Sequence, residues 1–272
     1  MLMIKSNDGA KIAVYDLGPK NCSKIIVLVH GWPLSHKMFE YQLPALLHAG
    51  YRVVSLDLRG FGNSDETAGG YCYDRFADDL FTVIRTLGLR RFVLLGFSMG
   101  GAIAVRYMAR HRGYGVTKLC LVDAAAPSYC KTPNNPYGNS MEDTNKLIQL
   151  GCQDRPALNE YFGSIFFAQE HSKPFLNWLQ GVNNSASGLG EMQSLIALRD
   201  EDVYDDLRTI RVPTGIFHGK QDMICPFGMA EIMHAQIRGS RLFPFDKAGH
   251  GAFYDDLEQF NCTLVGFLEN RK

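Results

Sequence analysis

One serine of this chain stands in a pattern that could make it a nucleophile. Gly96-Phe97-Ser98-Met99-Gly100 fits G-x-S-x-G, and it follows an apolar, β-prone run and precedes a helix-like one. So tight a strand-to-helix turn strains the serine backbone and needs small residues on either side. It presents the hydroxyl beside a helix N-terminus, which favours developing negative charge. The pattern alone is weak, because a serine hydroxyl also needs a base and an orienting carboxylate.

Two later stretches offer that base and that carboxylate. The stretch 218–222 follows a predicted strand and ends in Asp222, and the stretch 247–251 follows the last predicted strand and contains His250. The order serine, acid, histidine at successive strand ends is the one that accompanies this turn. We therefore predict Ser98 as nucleophile, His250 as general base and Asp222 as the acid. Asp123, which also ends a strand, remains the alternative acid, and a plain turn serine remains the alternative interpretation of Ser98.

Two backbone amides are candidates to bind an oxyanion formed at the serine. Met99 follows the nucleophile directly, and Trp32 lies in the loop His30-Gly31-Trp32-Pro33 after the first predicted parallel strand. Pro33 has no N–H and cannot donate. His30 and Gly31 are expected to shape the loop. The G-x-G of Asp57–Ser64 is interpreted as a tight strand-exit turn, because no helix follows it directly.

The elements that must position these residues alternate between strand and helix. Residues 2–5 and 11–17 predict an antiparallel edge pair, and continuous apolar runs predict buried strands at 24–30, 51–56, 92–95, 118–123, 212–218 and 242–245. Helices are predicted at 36–49, after an N-cap at Asp74, at 102–112 and at 253–270. This alternation indicates an α/β fold with a mostly parallel, doubly wound sheet.

The alternation stops at Ala126-Pro127 and resumes near residue 212. Between them the chain has helical stretches, polar loops and dense aromatics: Tyr161, Phe162, Phe166, Phe167, Phe175 and Trp178. We predict a core of residues 1–126 and 208–272 with an inserted helical cap, residues 127–207. Most of these aromatics are expected to pack the cap on the core, and one or two to line a pocket.

Composition narrows the range of partners and locations. The 272 residues carry 28 Lys+Arg and 28 Asp+Glu, so a nucleic-acid or anionic-membrane partner is not expected. No apolar run is long enough to span a bilayer, and no signal peptide is visible. The seven cysteines are odd in number and form no C-x-x-C, which favours reduced thiols and a cytoplasmic location. A homo-oligomer is left open.

With these residues in view, the chain resembles the α/β-hydrolase superfamily over nearly its full length. More narrowly, it is similar to the cofactor-free haloperoxidase/arylesterase (perhydrolase) group of bacterial serine hydrolases. The matching segments are His-Gly-Trp-Pro-Leu-Ser at 30–35, Asp-Leu-Arg-Gly-Phe-Gly-Asn-Ser at 57–64, Phe-Ala-Asp-Asp-Leu at 76–80, Gly-Phe-Ser-Met-Gly-Gly at 96–101, His-Gly-Lys-Gln-Asp-Met-Ile-Cys-Pro at 218–226 and Ala-Gly-His-Gly at 248–251.

The resemblance implies a catalytic triad of Ser98, Asp222 and His250, with an oxyanion hole from Trp32 and Met99. It implies that no metal, haem or other cofactor is needed. It further implies that hydrogen peroxide can replace water on the acyl-serine and give a peracid, and Pro33 matches the branch associated with this perhydrolysis. Leu58 is a departure, because many members carry an arginine there.

These observations predict a serine hydrolase that acts on a small, largely uncharged carboxylic ester. An aspartate-nucleophile relative is disfavoured because the turn carries Ser98. Lactonase, amidase, lipid hydrolase and carbon–carbon-bond hydrolase activities on the same triad stay open. The rival of a different class is a non-catalytic small-molecule-binding protein of the same fold, since fold does not fix function.

Overall fold

The computed structural model describes residues 1–270, and its centre is one twisted sheet of eight strands within that range. The spatial order is β1-β2-β4-β3-β5-β6-β7-β8. The strands are β1 (Leu2–Lys5), β2 (Lys11–Leu17), β3 (Ile25–Val29), β4 (Arg52–Leu56), β5 (Phe92–Phe97), β6 (Val116–Val122), β7 (Thr214–Gly219) and β8 (Arg241–Phe245).

Strand direction agrees with the expectation from sequence. β1 and β2 form the antiparallel edge pair, and β2 also pairs antiparallel with β4. The pairs among β3 to β8 are all parallel. Every residue of β5 and β7 is buried, as continuous apolar runs predict for strands covered on both faces. The α/β fold with a mostly parallel, doubly wound sheet is confirmed.

The strand register places the C-terminal ends of β3, β5, β6 and β7 at one edge of the sheet. Val29 of β3 lies opposite Gly96 of β5, so the loop after β3 begins beside the serine turn. Val122 of β6 lies opposite Phe217 of β7, which sets the exit of β6 beside the exit of β7. Because parallel strands end at the same edge, residues distant in sequence meet there.

Eleven α-helices and one 3₁₀ helix, within residues 1–270, surround this sheet. The 3₁₀ helix is His36–Phe39. The α-helices are α1 (Leu43–His48), α2 (Tyr73–Thr86), α3 (Met99–Arg110), α4 (Met141–Gln153), α5 (Arg155–Ser164), α6 (Lys173–Asn184), α7 (Gly188–Asp200), α8 (Tyr204–Leu207), α9 (Gly228–Gln236), α10 (Ala252–Asp255) and α11 (Leu257–Leu268).

Three helix predictions were wrong in their boundaries. The single helix predicted over 36–49 is divided, and Pro44 lies in the first turn of α1, where a missing N–H costs nothing. Asp74 is not an N-cap: α2 begins at Tyr73 after Cys72, and the Asp74 carboxylate pairs with Arg110 at 2.8 Å. The closing helix is divided at Asp256, whose backbone, with φ of −134° and ψ of 57°, is not helical and separates α10 from α11.

Helices α4 to α8 lie between β6 and β7 and form the region called the cap, residues 127–207. Four of them begin at a side chain that accepts a hydrogen bond from the first turn, at Ser140, Asp154, Ser172 and Ser187. Such caps satisfy backbone donors that the helix itself leaves free. The local sequence therefore sets where each of these four helices begins.

Among residues 1–270, none of the helices combines the length and the apolar character that crossing a bilayer requires. All seven cysteines are free thiols, and Cys120, Cys130 and Cys225 are buried.

Candidate active site

The turn between β5 and α3 holds Ser98 in a strained conformation. Its φ of 51° and ψ of −120° lie outside the regions that a non-glycine residue ordinarily occupies. A Cβ on Gly96 would lie 2.2 Å from the Gly100 carbonyl oxygen, and one on Gly100 would lie 2.4 Å from that of Val29. Both positions therefore need glycine, because neighbouring backbone atoms leave no room for a Cβ. The serine is nearly buried, with 5% of its surface exposed.

The candidate acid and base are joined by a short hydrogen bond. Asp222, in the loop after β7, accepts a hydrogen bond from Nδ1 of His250 at 2.8 Å through its Oδ2. Its Oδ1 accepts the amides of Ile224 and Cys225, both at 2.8 Å. Because the partner of Nδ1 is a carboxylate, Nδ1 carries the proton and Nε2 is left as the basic nitrogen.

The environment keeps the Asp222 carboxyl ionised. Its burial would raise its pKa, but the charges and hydrogen bonds of His250 and His218 outweigh that effect and hold the pKa well below the usual range. A carboxylate that stays charged can orient a histidine and stabilise its protonated form.

His250 lies against the serine turn. Its ring centroid is 4.9 Å from that of Phe97, the residue before Ser98, and 5.3 Å from that of Phe166. Within residues 1–270, the buried Nε2 has no hydrogen-bond partner, and no hydrogen bond joins it to Ser98. This nitrogen is therefore available to take a proton.

The loop after β3 packs directly on the serine. A Cβ on Gly31 would lie 2.8 Å from the Ser98 Cβ, and Trp32 lines the same cavity as Ser98. The Trp32 indole Nε1 donates to the Glu191 carbonyl of α7 at 2.8 Å, so its side chain reaches into the cap. The roles of the Trp32 and Met99 amides as oxyanion donors stay predictions.

His30 has a structural part in this loop. Its Nε2 accepts the Leu58 amide at 2.9 Å, so Nδ1 carries the proton and donates to the Gly31 carbonyl at 2.8 Å. Burial lowers its pKa to about 4, which keeps the ring neutral near pH 7. A neutral ring bonded on both sides shapes the loop, as the sequence indicated.

The segment Asp57–Ser64 is the tight turn that the sequence predicted. The Asp57 carboxylate accepts the amides of His36 at 2.8 Å and Asn63 at 2.9 Å. Gly62 has a φ of 54°, and a Cβ there would lie 2.2 Å from an Asp57 carboxylate oxygen. The carboxylate thus organises the turn itself.

A narrow cavity lies between Ser98 and the cap. Its walls are mostly aliphatic and aromatic and carry no charged side chain: Trp32, Ser98, Tyr129, Leu147, Leu158, Tyr161, Phe162, Ile165, Leu195, Leu198 and Ile224. Tyr161 and Phe162 are the predicted aromatics that line it. Phe166 packs on His250, and Phe175 and Trp178 pack on Tyr254.

Asp123 lies close to the candidate acid but not in its place. It directly follows β6 and has a φ of 42°, and its Oδ1 accepts the Gly219 amide at 2.8 Å. Oxygens of Asp123 and Asp222 and a nitrogen of His218 lie within 4.8 Å of one another. These three could in geometry hold a metal, but Asp222 is already committed to three hydrogen bonds. The group is therefore a buried cluster in which His218 contacts Asp222 at 3.4 Å and Asp123 bonds the Gly219 amide.

Sequence reasoning missed several residues of the site. The buried Cys225 thiol interacts with the Ser98 side chain, and burial raises the pKa of this thiol well above its usual range. Tyr129, Ile224 and the cap leucines that line the cavity were also missed. No local pattern marks them, because they reach Ser98 through long-range packing.

Comparison with known proteins agrees with this architecture. The family model described as alpha/beta hydrolase fold matches residues 24–150. An AB hydrolase superfamily protein of Bacillus subtilis, YisY, is 45% identical over 264 residues, which cover 97% of each chain. The chain therefore belongs to the α/β-hydrolase family.

Named relatives lie within the group that the sequence resembles. The bifunctional esterase/perhydrolase DCH of Acinetobacter calcoaceticus is 31% identical over 98% of this chain and 99% of its own. The solved esterase EaEST from Exiguobacterium antarcticum is 46% identical with a TM-score of 0.95, over 98% of both chains. The bromoperoxidase from Bacillus anthracis is 33% identical with a TM-score of 0.93, over 98% of this chain and 99% of its own. The resemblance to the haloperoxidase and esterase/perhydrolase group is confirmed.

Proposed function

We propose that this α/β hydrolase is a serine esterase that cleaves small, uncharged carboxylic esters through an acyl-serine intermediate. One observation carries the proposal: a strained Ser98 lies beneath an apolar cavity, beside a buried His250 whose Nδ1 is bonded to Asp222. The similarity to a named esterase and to a named esterase/perhydrolase supports it.

In the first half of the proposed reaction, Ser98 Oγ attacks the ester carbonyl carbon while His250 Nε2 takes the hydroxyl proton. The carbonyl oxygen becomes an oxyanion, to which the amides of Trp32 and Met99 donate. Each such donor is worth about two to three orders of magnitude in rate. The oxyanion then collapses, the ester C–O bond breaks, and the alcohol leaves with the proton from His250.

In the second half, a water molecule attacks the acyl carbon and gives a proton to the same Nε2. Collapse of this second oxyanion breaks the bond to Ser98 Oγ, which takes back the proton, and the carboxylic acid is released. Asp222 holds the ring in one tautomer throughout and stabilises the imidazolium. The uncharged cavity wall favours acyl and alcohol groups without charge, because an ion there would be desolvated without a partner.

Ser98→Ala tests this function with two readouts, p-nitrophenyl acetate hydrolysis and labelling by a fluorophosphonate probe. We expect the wild type to turn over and to be labelled, and Ser98→Ala to lose at least about four orders of magnitude in kcat and all labelling. Ser23→Ala, which changes an exposed serine before β3, is the matched control and should behave as wild type. Wild-type protein that is neither active nor labelled above Ser98→Ala would instead favour the small-molecule-binding alternative.

A second activity of the same site is favoured by Pro33 and by the esterase/perhydrolase relative. In it, hydrogen peroxide replaces water in the second half, attacks the acyl carbon and leaves as a peracid. We expect wild-type protein supplied with an ester, peroxide and bromide to brominate monochlorodimedone, and Pro33→Leu to do so several-fold more slowly. If the wild type forms no peracid while it hydrolyses p-nitrophenyl acetate, the perhydrolase proposal fails and the esterase proposal stands.

A further inference from the structure

The hydroxyl of Tyr129 is a hydrogen-bond donor that the described part of the chain leaves without an acceptor. Tyr129 lies in the segment after β6, lines the same cavity as Ser98 and is 8% exposed. Within residues 1–270, no group bonds its hydroxyl, and the oxygen is not fully enclosed by protein. Because the rest of the residue is packed into the protein, the open part of the hydroxyl lies on the cavity side.

The other polar side chains of the cavity wall are already engaged. Ser98 is the proposed nucleophile, and the Trp32 indole donates to the Glu191 carbonyl at 2.8 Å. Tyr161 is 47% exposed, so water can satisfy its hydroxyl. Within residues 1–270, Tyr129 is therefore the buried side-chain donor of this wall that is free to bond a ligand.

The surroundings of Tyr129 define the kind of acceptor that it can bond. Burial raises the pKa of its phenol above the usual range, so the phenol keeps its proton at neutral pH and donates. The cavity wall carries no charged side chain that could pair with an ion. The matching ligand atom is therefore an uncharged acceptor, such as an ether, keto or hydroxyl oxygen.

Hydrogen bonds on both sides of Tyr129 hold its backbone in place. Its carbonyl oxygen accepts the Asn139 amide at 2.8 Å, and the buried Asn135 side chain donates to the Ser128 carbonyl at 2.8 Å. The Asn139 side chain also donates, at 2.9 Å, to the carbonyl of Ile224, which lines the same cavity. A donor on a segment fixed in this way keeps its direction, which is what discrimination between ligand atoms requires.

We propose that Tyr129 is a specificity-determining residue whose hydroxyl bonds a second, uncharged oxygen of the substrate, beyond the ester group that reacts. The substrate class is then an ester with an ether, keto or hydroxyl oxygen in its acyl or its alcohol part. A methylene in that place would leave the hydroxyl unpaired in an apolar cavity, and a site built to hydrogen-bond its ligand discriminates against an analogue that lacks the partner. That the ligand is an ester rests on the proposed function, whereas bonding of its second oxygen does not.

Two pairs of esters that differ by one oxygen in place of one methylene test this proposal. The acyl pair is p-nitrophenyl methoxyacetate and p-nitrophenyl butanoate, and the alcohol pair is 2-methoxyethyl acetate and butyl acetate, followed by pH-stat. Comparison of each ratio of kcat/KM between wild type and Tyr129→Phe removes the intrinsic reactivity of the esters. In one of the pairs we expect Tyr129→Phe to lower the ratio of oxygen-containing to hydrocarbon ester about tenfold. The pair that responds shows which part of the substrate carries the acceptor.

Tyr161→Phe is the matched control, because it removes the other tyrosine hydroxyl of the cavity wall. Both ratios should stay within about twofold of wild type, since that hydroxyl is satisfied by water whichever ester is bound. The proposal is overturned if Tyr129→Phe changes neither ratio, or if Tyr161→Phe changes them to the same extent.

Binding to Ser98→Ala separates this proposal from the proposed function, because it needs no turnover. In ligand-observed NMR titrations with the same esters, we expect Tyr129→Phe in the Ser98→Ala background to raise the Kd of the oxygen-containing ester of one pair several-fold. The Kd of its hydrocarbon partner should not rise. Wild-type protein without any turnover would defeat the esterase function alone, and unchanged Kd values for both oxygen-containing esters would then defeat the role of Tyr129 as well.

Discussion

The two walls of the cavity are held in different ways. On one side is the core edge, by which we mean the strand-end loops that carry Trp32, Ser98, Asp222 and His250. There, Asp222 accepts three hydrogen bonds of 2.8 Å, and the backbone fixes Ser98. On the other side is the cap, whose contribution to the cavity is almost entirely aliphatic and aromatic.

This difference separates reaction from selectivity. Proton transfer and nucleophilic attack depend on direction, and a misplacement of about 1 Å can cost two orders of magnitude in rate. Apolar contacts have no preferred direction and discriminate by volume, at about 1 to 3 kcal/mol for each methylene. Under the proposed esterase function, the core edge would set what chemistry occurs, and the cap would set which acyl group reaches Ser98.

Trp32 joins the two walls. Its backbone lies in the loop against Ser98, while its indole donates to the Glu191 carbonyl of α7. The Glu191 carboxylate is buried and pairs with Arg155 of α5 at 2.7 Å. A shift of these cap helices would therefore displace the loop that carries Trp32, a proposed oxyanion donor.

The largest expected effect comes from the core edge. We expect Asp222→Asn to lower kcat by about four orders of magnitude, because the amide favours the wrong histidine tautomer while leaving the shape intact. Asp123→Asn should cost no more than about tenfold, since the Asp123 carboxyl is not bonded to His250. Stopped-flow or steady-state hydrolysis of p-nitrophenyl acetate measures both. If Asp123→Asn lowered kcat more than Asp222→Asn did, Asp123 would be the catalytic acid.

The next effect concerns the pH dependence of stability. The pKa of His30 is about 4 in the folded protein against an ordinary value of 6.5, so the unfolded chain binds more protons between these values. His30 therefore leaves the free energy of unfolding unchanged above pH 6.5 and lowers it as the pH falls from 6.5 toward 4. We expect that loss to be about 3 kcal/mol in the wild type and absent in His30→Asn.

Urea unfolding at a series of pH values measures this difference. His48→Gln is the control, because His48 is exposed and its removal should leave the wild-type slope unchanged. A His30→Asn variant that loses as much stability as wild type between pH 6.5 and 4 would contradict the assignment. Core-edge stability would then not depend on this neutral ring.

The smallest effect is expected from the cap. Leu158, in α5, is buried and lines the cavity. Leu158→Ala enlarges the cavity and should shift the ratio of kcat/KM for hexanoate over acetate p-nitrophenyl esters about tenfold toward hexanoate. It should also lower the free energy of unfolding by about 2 to 5 kcal/mol.

Leu179→Ala is the matched control for this cap substitution. Leu179 is equally buried in the cap but is absent from the cavity wall, so the variant should lose stability without changing the ester preference. If both variants change the preference alike, cap packing as a whole and not the cavity wall sets selectivity.

Much of the core was predictable from the sequence because its signals are local. Continuous apolar runs gave the strands, and the small residues around Ser98 gave a turn whose glycines admit no Cβ. Helix boundaries failed where competing signals were also local. Asp74 resembles an N-cap but serves an ion pair with Arg110, and Pro44 begins a helix rather than interrupting one.

The cap was predicted as helical, with one or two of its aromatics lining a pocket, but the sequence did not say which ones. Of six aromatics singled out by density, Tyr161 and Phe162 face the cavity, whereas Phe166 packs on His250 and Phe175 on Tyr254. All lie in similar helical or loop sequence. Which way each points depends on how α4 to α7 pack together, and that is not encoded in any short pattern.

The sequence by itself determined the fold class, the serine turn and the order of serine, acid and histidine, because each rests on residues adjacent in the chain. Only the tertiary structure decided that Asp222 rather than Asp123 is bonded to His250, since the two aspartates end neighbouring strands and look alike in sequence. It also decided that Cys225 lies against Ser98, and that Asp123 and His218 are buried close to Asp222. The reason is that parallel strands place their C-terminal ends side by side, so residues more than 90 positions apart in sequence come into contact. Which residues meet depends on the strand register and on burial.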